Sequence, residues 1–199
     1  MNIANKLTIF RIVLIPLIVL IYVFPYYQFG IQIGYESFDS VILSYDRIVV
    51  LVLFVIASIT DFLDGYLARS RNMITTFGKF LDPIADKMLV NTLFILFAYE
   101  GVVPVVAVLV MIWRDTIVDA LRMLLAQQGM VMGAGYLGKA KTVLQMVAII
   151  LVLLNNLPFE LQGLPVASIV VWFATLMSVL SGASYVLQSR SYFANELGE

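Results

Sequence analysis

Two pairs of acidic residues stand close together in an unusually apolar part of the sequence. Asp61 and Asp64 are three positions apart, and Asp82 and Asp86 are four apart, so each pair shares one face if its segment is helical. Carboxylates beside long apolar segments are costly to desolvate unless a partner or a water-filled cavity compensates them. We therefore interpret these four residues as a candidate functional site.

Four carboxylates at this spacing repel one another and cannot all stay ionised without compensating positive charge. The sequence contains no cysteine and no histidine, so metal ligands must be oxygen atoms, which favours Mg²⁺ or Mn²⁺ over Zn²⁺ or Cu²⁺. Two such ions about 3.5–4 Å apart assist displacement at phosphorus, and Mg²⁺ readily shares its site with substrate phosphates. The residues alone leave one alternative open, in which the carboxylates belong to a structural network of ion pairs.

The composition places this site in a membrane protein. Of 199 residues, 62% are hydrophobic and 13% are charged, which is too little charge to cover a water-facing surface. A helix that crosses a bilayer needs about 20 apolar residues. Six segments qualify, at about 7–25, 45–68, 79–99, 103–126, 139–157 and 165–188. We expect an all-α integral membrane protein with six transmembrane helices in a single domain, residues 1–199. No small-residue cleavage site follows Leu20, so the first span is expected to be retained.

The positions of Lys and Arg predict the orientation. With a cytoplasmic N-terminus, all of the 12 Lys and Arg residues except Arg47 lie in cytoplasmic segments or in the helix portions that lead to them. The positive-inside rule then places both termini in the cytoplasm and opens the acidic site to the same side of the cell membrane. Hydropathy does not separate an enzyme from a cation- or proton-coupled transporter that uses the acids as its ion path. Such a transporter would carry paired broken helices in its two halves, and the sequence shows none.

Small and basic residues accompany the acidic pairs. Gly65 and Ala68 follow Asp64 and keep one helix face shallow, and Gly78 lies where the third predicted helix begins. Arg69 can donate two hydrogen bonds to phosphate oxygens. Each of these residues also has an ordinary explanation, because small residues pack membrane helices and arginine anchors cytoplasmic helix ends.

The whole stretch has the form Asp-x2-Asp-Gly-x2-Ala-Arg-x8-Gly-x3-Asp-x3-Asp, with every fixed position filled between Asp61 and Asp86. It resembles the signature of the CDP-alcohol phosphatidyltransferases, a family of six-helix membrane enzymes. The resemblance implies that Asp61, Asp64 and Asp82 ligate two metal ions. It implies that Asp86 ligates one of them and also takes the proton of the acceptor hydroxyl. Four further residues would shape the site for the CDP moiety of a CDP-diacylglycerol: Gly65, Ala68, Arg69 and Gly78. The hydroxyl would attack the lipid-bearing phosphate, and CMP would leave.

Two other stretches are similar to those of bacterial family members that use glycerol 3-phosphate as the acceptor. One is Asn5-x2-Thr8-x2-Arg11, and the other comprises Arg114-Asp115, Leu121-Arg122 and Gly138–Met146. The resemblance implies glycerol 3-phosphate as acceptor and phosphatidylglycerophosphate as product, with Asn5 and Thr8 at the CDP-diacylglycerol. A cluster of cations is expected to bind the acceptor phosphate. Its members are Arg11, Arg114, Arg122, Lys139 and Lys141.

Some alternatives stay open. The signature also fits another acceptor, such as inositol phosphate, serine or a second lipid. Lys139 and Lys141 could instead extend to lipid headgroups. Arg114 lies about ten residues into an apolar span, so it needs an anionic partner. The candidates are Asp115, Asp119 and a bound ligand.

The assembly is a further expectation from the resemblance, which implies a homodimer in the lipid bilayer and no nucleic-acid partner. Ser178 and Gly182 are four residues apart on the sixth predicted helix and form a face of small residues suited to helix packing. Asp115 departs from the glutamate found in many relatives, which keeps the charge and shortens the side chain.

Overall fold

The computed structural model of the chain describes the backbone of residues 3–70, 76–127, 129 and 135–196. Side chains within these ranges are described except at 3–4, 64–70, 76–77, 79–80 and 191–196. Four predicted site residues are therefore described only by their backbone: Asp64, Gly65, Ala68 and Arg69.

The described residues form six α-helices, in agreement with the sequence prediction. They are α1 (Ile3–Val23), α2 (Tyr45–Ser70), α3 (Thr76–Tyr99), α4 (Val105–Gln127), α5 (Tyr136–Leu153) and α6 (Val166–Glu196). Two short 3₁₀ helices lie at Tyr26–Phe29 and Phe159–Gln162. Helices are the expected solution for so apolar a chain, because a helix satisfies its backbone hydrogen bonds within one segment.

Three of the helices contain segments long and apolar enough to cross a membrane. These segments are Asn5–Val23, Tyr136–Leu153 and Val166–Arg190. The other three helices, α2, α3 and α4, carry the acidic pairs and the Arg114-Asp115 motif, and these charges lower their hydropathy. The prediction of six crossings therefore stays a prediction.

The fifth helix ends before residue 157, the end that the apolar run predicts. In the structure α5 ends at Leu153, and Asn155 and Asn156 follow with positive φ values of 50° and 61°. A left-handed residue is a common way to end a helix. The Asn156 side chain then donates hydrogen bonds to the carbonyl of Leu164 and to Glu160 Oε2, both at 2.7 Å. The end of α5 cannot be predicted from the apolar run, because the hydropathy of side chains carries no information about a left-handed backbone conformation.

The predicted loop between the first two helices contains a β-hairpin that the sequence analysis missed. Strand β1 (Tyr35–Phe38) pairs antiparallel with β2 (Val41–Ser44), and the turn between them has Asp39 at a φ of 52°. Val41 and Leu43 are buried, so the hairpin contributes to the core. The hairpin is joined directly to α2, which begins at the next residue.

Close contacts divide the chain into two compact units, each built from two segments. The first unit comprises Met1–Leu96 and Ile149–Pro165, and the second comprises Phe97–Ala148 and Val166–Glu199. The acidic site lies in the first unit. The motif around Arg114 lies in the second.

The core of the first unit forms where α1 packs against α2. On α2 the buried residues Val50, Phe54 and Ala57 are three or four positions apart and so lie on one helix face. Ile18 of α1 and Leu93 of α3 are also fully buried. This packing places α1 beside α2, the two helices that carry Arg11 and Asp61.

The second unit is built on contact between α4 and α6. Ala107, Met111 and Val118 give α4 an apolar buried face. The buried face of α6 is partly polar, since it includes Thr175, Ser178, Ser181 and Tyr185. Polar groups inside an apolar helical protein need hydrogen-bond partners. Those of Ser181 and Tyr185 belong to the basic cluster described below.

Candidate active site

The acidic site brings together carboxylates from two helices. Arg11 Nη1 lies 2.9 Å from Asp61 Oδ1 on α2 and also contacts Asp86 Oδ1 on α3. One nitrogen atom therefore bridges two carboxylates that are 25 positions apart in the sequence. The convergence expected from the spacing of the acidic pairs is present for these two residues.

The third described carboxylate, Asp82, is held by α1 as well. Thr8 Oγ1 donates a hydrogen bond of 2.6 Å to Asp82 Oδ1. Asn5, Thr8 and Arg11 are spaced by three residues and are all buried, so one face of α1 lies against the acidic site. The sequence motif Asn-x2-Thr-x2-Arg is thus a structural part of this site.

Arg11 lies at the acidic site, although the sequence analysis grouped it with the cations of the acceptor phosphate. The Arg11 side chain is 0% exposed, whereas those of Asp61 and Asp86 are 33% and 42% exposed. The guanidinium of Arg11 therefore contacts the two carboxylates from the protein interior, and part of each carboxylate side chain remains exposed at the surface. A cation or substrate from outside can reach them there.

The described residues fit a divalent cation in donor type. Asp61, Asp82, Asp86 and the Thr8 hydroxyl offer only oxygen atoms, and Arg11 shows that a positive group is stabilised between two of the carboxylates. Among the described side chains, no three acidic residues form a complete metal-binding group. The predicted ligand Asp64 lies outside the described side chains.

The predicted nucleotide-site residues are described to different extents. Gly78 is buried on α3. For Gly65, Ala68 and Arg69 the structure gives only their backbone on α2. Their proposed contacts stay predictions.

The second unit contains a buried basic cluster centred on Asp115. Lys141 Nζ of α5 donates to both carboxylate oxygens of Asp115, each at 2.6 Å. Arg114 Nη1 lies 2.9 Å from Asp115 Oδ1. Asp115 is therefore the anionic partner that the depth of Arg114 requires, and it serves two cations at once.

Tyr185 of α6 joins the two arginines of this cluster. Arg122 Nη2 donates a hydrogen bond to the Tyr185 hydroxyl, and the Arg122 Cζ atom lies 4.8 Å from the centre of its ring. The Cζ atom of Arg114 lies 5.6 Å from the same ring centre. Arg114 Nη2 also donates to Ser181 Oγ. The structure thus brings Arg114, Arg122 and Lys141 into one cluster, in which Asp115 joins Arg114 to Lys141 and the ring of Tyr185 lies beside both arginines.

The two lysines of the Gly-Lys-x-Lys motif have different environments. Lys141 is 4% exposed and paired with Asp115, so it does not extend to lipid headgroups. Lys139 is exposed, with its Nζ atom 5.8 Å from the ring centre of Tyr136. The sequence analysis treated the two alike, and the structure separates them.

Sequence reasoning missed Ser181 and Tyr185. A signal was present, because Thr175, Ser178, Ser181 and Tyr185 recur every three or four positions in an otherwise apolar helix. Such a polar stripe predicts that a membrane helix packs its polar side against buried charges. The spacing of Ser178 and Gly182 alone indicates only a packing face of small residues.

These features define a helical membrane protein with an acidic site on the first three helices and a basic cluster on the last three. The family model of the CDP-alcohol phosphatidyltransferases matches residues 1–180. The chain belongs to this family.

Similar proteins cover almost the entire chain. A CDP-diacylglycerol–glycerol-3-phosphate 3-phosphatidyltransferase of Bacillus subtilis is 42% identical over 184 residues, which is 92% of this chain and 93% of that protein. The proteins of the same name from Rickettsia bellii and Escherichia coli are 36% and 32% identical. The matches cover 96% of this chain in both cases, and 97% and 96% of the respective relatives.

Proposed function

We propose that this protein transfers the phosphatidyl group of CDP-diacylglycerol to glycerol 3-phosphate, giving phosphatidylglycerophosphate and CMP. The family membership and the names of the relatives support this reaction. The structural observation that supports it most strongly is the convergence of Asp61 and Asp86 on one nitrogen of Arg11. Carboxylates held this close are suited to a substrate that arrives with cations and carries a diphosphate.

Asp61, Asp64, Asp82 and Asp86 would hold two Mg²⁺ or Mn²⁺ ions in this reaction. Bound there, the ions would neutralise charge on the diphosphate and on the leaving CMP. Thr8 would orient Asp82 through its hydrogen bond. Asn5, Gly65, Ala68, Arg69 and Gly78 are proposed to position the CDP moiety.

Asp86 is proposed as the general base. The acceptor hydroxyl attacks the β-phosphorus, the bond from that phosphorus to the oxygen of CMP breaks, and CMP leaves with the bonding electron pair. The hydroxyl proton passes to the Asp86 carboxylate. Its 42% exposure gives an incoming hydroxyl access to this carboxylate.

The basic cluster is proposed to bind the acceptor phosphate. Arg114 and Lys141 both contact the buried Asp115 carboxylate, and Arg122 lies beside Tyr185 in the same cluster. A phosphate would accept hydrogen bonds from Arg114 and Arg122. Lys139 is proposed to contribute from the exposed side. This cluster favours glycerol 3-phosphate or inositol phosphate over serine, which carries no phosphate.

We further propose six crossings of the cytoplasmic membrane, with both termini and the acidic site on the cytoplasmic side, and assembly as a homodimer. The 26 residues of α2 correspond to roughly 39 Å at 1.5 Å per residue, longer than the roughly 30 Å hydrocarbon core. An acidic site near the end of α2 can therefore reach the membrane surface. The Ser178–Gly182 face does not support the dimer, because Ser178 is fully buried within the chain.

The test is CMP release from CDP-diacylglycerol by purified protein in detergent, with glycerol 3-phosphate and Mg²⁺ present. Asp86→Asn and Asp61→Asn keep side-chain size and remove the charge. We expect Asp86→Asn to lower the rate by about 10²–10⁴-fold, the usual contribution of a positioned base, and Asp61→Asn to lower it through the loss of a metal ligand. Asp39→Asn is the matched control, since Asp39 is exposed in the hairpin turn.

Normal turnover in both variants would refute the proposal. An acceptor panel of glycerol 3-phosphate, inositol phosphate, serine and a lipid alcohol tests the choice of acceptor in the same assay. Metal-dependent uptake into liposomes without CMP release would instead favour the transporter hypothesis.

A further inference from the structure

Tyr185 occupies an unusual position between two positive charges. It is 4% exposed on α6, and the guanidinium groups of Arg114 and Arg122 both lie within 6 Å of its ring centre. Two guanidinium groups repel each other, and burial strengthens the repulsion. An aromatic ring offsets part of this cost because its face attracts cations. Tyr185 therefore stabilises two arginines in one small volume.

The hydroxyl of Tyr185 adds a directional constraint. It accepts a hydrogen bond from Arg122 Nη2 and another, at 3.1 Å, from the backbone N–H of Gly135. The second bond ties the phenol to the chain just before α5 begins. The orientation of Arg122 is thereby coupled to the segment that leads into the Gly-Lys-x-Lys motif.

Arg114 is held separately from Arg122. It donates to Asp115 and Ser181, and its aliphatic part lies against Gly182, where an added Cβ would approach its Cγ atom to 2.9 Å. Its orientation therefore has several supports besides the ring of Tyr185. Within the described part of the chain, the hydrogen bond and the ring contact of Arg122 are both with Tyr185. Loss of the phenol hydroxyl should consequently affect Arg122 more than Arg114.

We propose that Tyr185 is the positioning residue that orients Arg122, beside Arg114, toward the phosphate monoester of the acceptor. This inference rests on the proposed function of the basic cluster. Two guanidinium groups with fixed orientations can donate several parallel hydrogen bonds to one phosphate. A tyrosine that only packed α6 against α4 would need its ring and not its hydroxyl.

The first test is Tyr185→Phe, which keeps the ring and removes the hydroxyl. We expect the KM for glycerol 3-phosphate to rise about 10-fold, the effect of one hydrogen bond to a charged group. The KM for CDP-diacylglycerol and kcat should change by less than about 2-fold, since the ring and the acidic site are intact. Tyr22→Phe is the matched control, because the Tyr22 ring also lies under an arginine, Arg47, in the first unit. An unchanged KM for glycerol 3-phosphate would overturn the proposal.

The second test separates positioning from packing. If Tyr185 acts through Arg122, then Tyr185→Phe should have no further effect on that KM in an Arg122→Ala background. A merely structural contribution would be additive in the double variant, and additivity would overturn the proposal. The melting temperatures of all variants, measured in the same detergent, should agree within a few degrees.

A third measurement tests the positioning role of Tyr185 independently of the proposed reaction. Equilibrium binding of inorganic phosphate to the purified full-length protein needs no turnover, and Tyr185→Phe should weaken it by a similar factor. If wild-type protein binds phosphate and Tyr185→Phe weakens binding, but no acceptor-dependent CMP release occurs, the reaction fails and the positioning role stands. Equal phosphate binding by the two proteins, or none by wild type, overturns the positioning role.

Discussion

Lys141 donates hydrogen bonds to both carboxylate oxygens of Asp115, each at 2.6 Å, in a part of the protein where both side chains are nearly inaccessible. Arg114 contacts the same carboxylate. Asp115 therefore compensates the charges of two buried cations, Arg114 and Lys141. Lys141 compensates the charge of Asp115, which also has Arg114 as a partner. The two members of this ion pair are not equivalent, and their removal should have different consequences.

Replacing Asp115 with Leu should destabilise the protein more than replacing Lys141 with Met. Asp115→Leu removes the shared carboxylate of two buried cations, and such a loss costs about 3–5 kcal/mol. Lys141→Met leaves Asp115 paired with Arg114, so we expect a smaller cost of about 1–3 kcal/mol. Thermal unfolding in detergent, followed by the loss of the monodisperse peak in size-exclusion chromatography, ranks the two variants.

The double variant Asp115→Leu/Lys141→Met removes both charges of the pair. It should be more stable than Asp115→Leu alone, because one of the two uncompensated cations is gone. Equal melting temperatures for the two single variants would contradict the unequal roles described here.

Replacing Thr8 with Val should raise the Mg²⁺ concentration needed for half-maximal activity. The change preserves the branched shape of the side chain and removes the hydrogen bond of 2.6 Å to Asp82. Residues that orient metal ligands typically contribute 10–100-fold to metal affinity. A Mg²⁺ titration of CMP release measures the effect. Thr8→Ser retains the hydroxyl and should resemble wild type, and equal Mg²⁺ requirements of Thr8→Val and wild type would argue against the orienting role.

Replacing Arg11 with Met should make the stability of the protein more dependent on divalent cations. Without the guanidinium, Asp61 and Asp86 lose a shared positive partner, which we expect to cost about 1–3 kcal/mol in EDTA. For a chain of this size that corresponds to a decrease in melting temperature of about 2–4 °C per kcal/mol. Mg²⁺ should then restore more stability in the variant than it adds to wild type, since ligand binding stabilises the folded state.

Melting curves with EDTA and with Mg²⁺ provide the measurement for Arg11→Met. Arg47→Met is the matched control, because Arg47 contacts the ring of Tyr22 and lies in the same unit. If Mg²⁺ shifts the melting temperature of Arg11→Met and wild type equally, Arg11 does not substitute for a cation at the acidic site.

Replacing Gly182 with Ala should impair the use of the acceptor. An added Cβ would lie 2.9 Å from Arg114 Cγ, so the arginine or α6 must move. At Gly138 the nearest atom, Ser181 Oγ, would be at 3.5 Å, an ordinary contact. We expect Gly182→Ala to raise the KM for glycerol 3-phosphate several-fold, since a small displacement of a binding group is costly, and Gly138→Ala to raise it less. The same KM for both variants would show that the contact with Arg114 is unimportant.

Much of the fold could be predicted from the sequence because the relevant signals are local. Apolar runs of membrane length predicted all six described helices. They could not locate the end of α5, where the left-handed backbone of Asn155 and Asn156 stops the helix. They also missed the hairpin between Tyr35 and Ser44, since its residues form no long apolar or alternating pattern.

The types of residue in the candidate site could be predicted from the sequence, whereas the contacts between them could be predicted only in part. The spacing within the pairs Asp61/Asp64 and Asp82/Asp86 predicts that each pair shares a helix face, and the short connection between the two helices predicts that the pairs converge. The sequence does not indicate Arg11 as their shared partner, since nothing in a linear motif states which helix lies opposite. The contact of Arg11 with the acceptor phosphate stays a prediction. For Lys141 the sequence likewise leaves open the acceptor phosphate and lipid headgroups, and it does not indicate the pairing with Asp115.

The sequence by itself determined the chemistry that is available: oxygen ligands without cysteine or histidine, a signature of acids, and cations on apolar helices. The tertiary structure decided which of these groups meet. Arg11 reaches Asp86 across 75 positions, and Arg122 reaches Tyr185 across 63. Partners so distant are selected by the packing of whole helices, which depends on many side chains together and is not written in any local pattern.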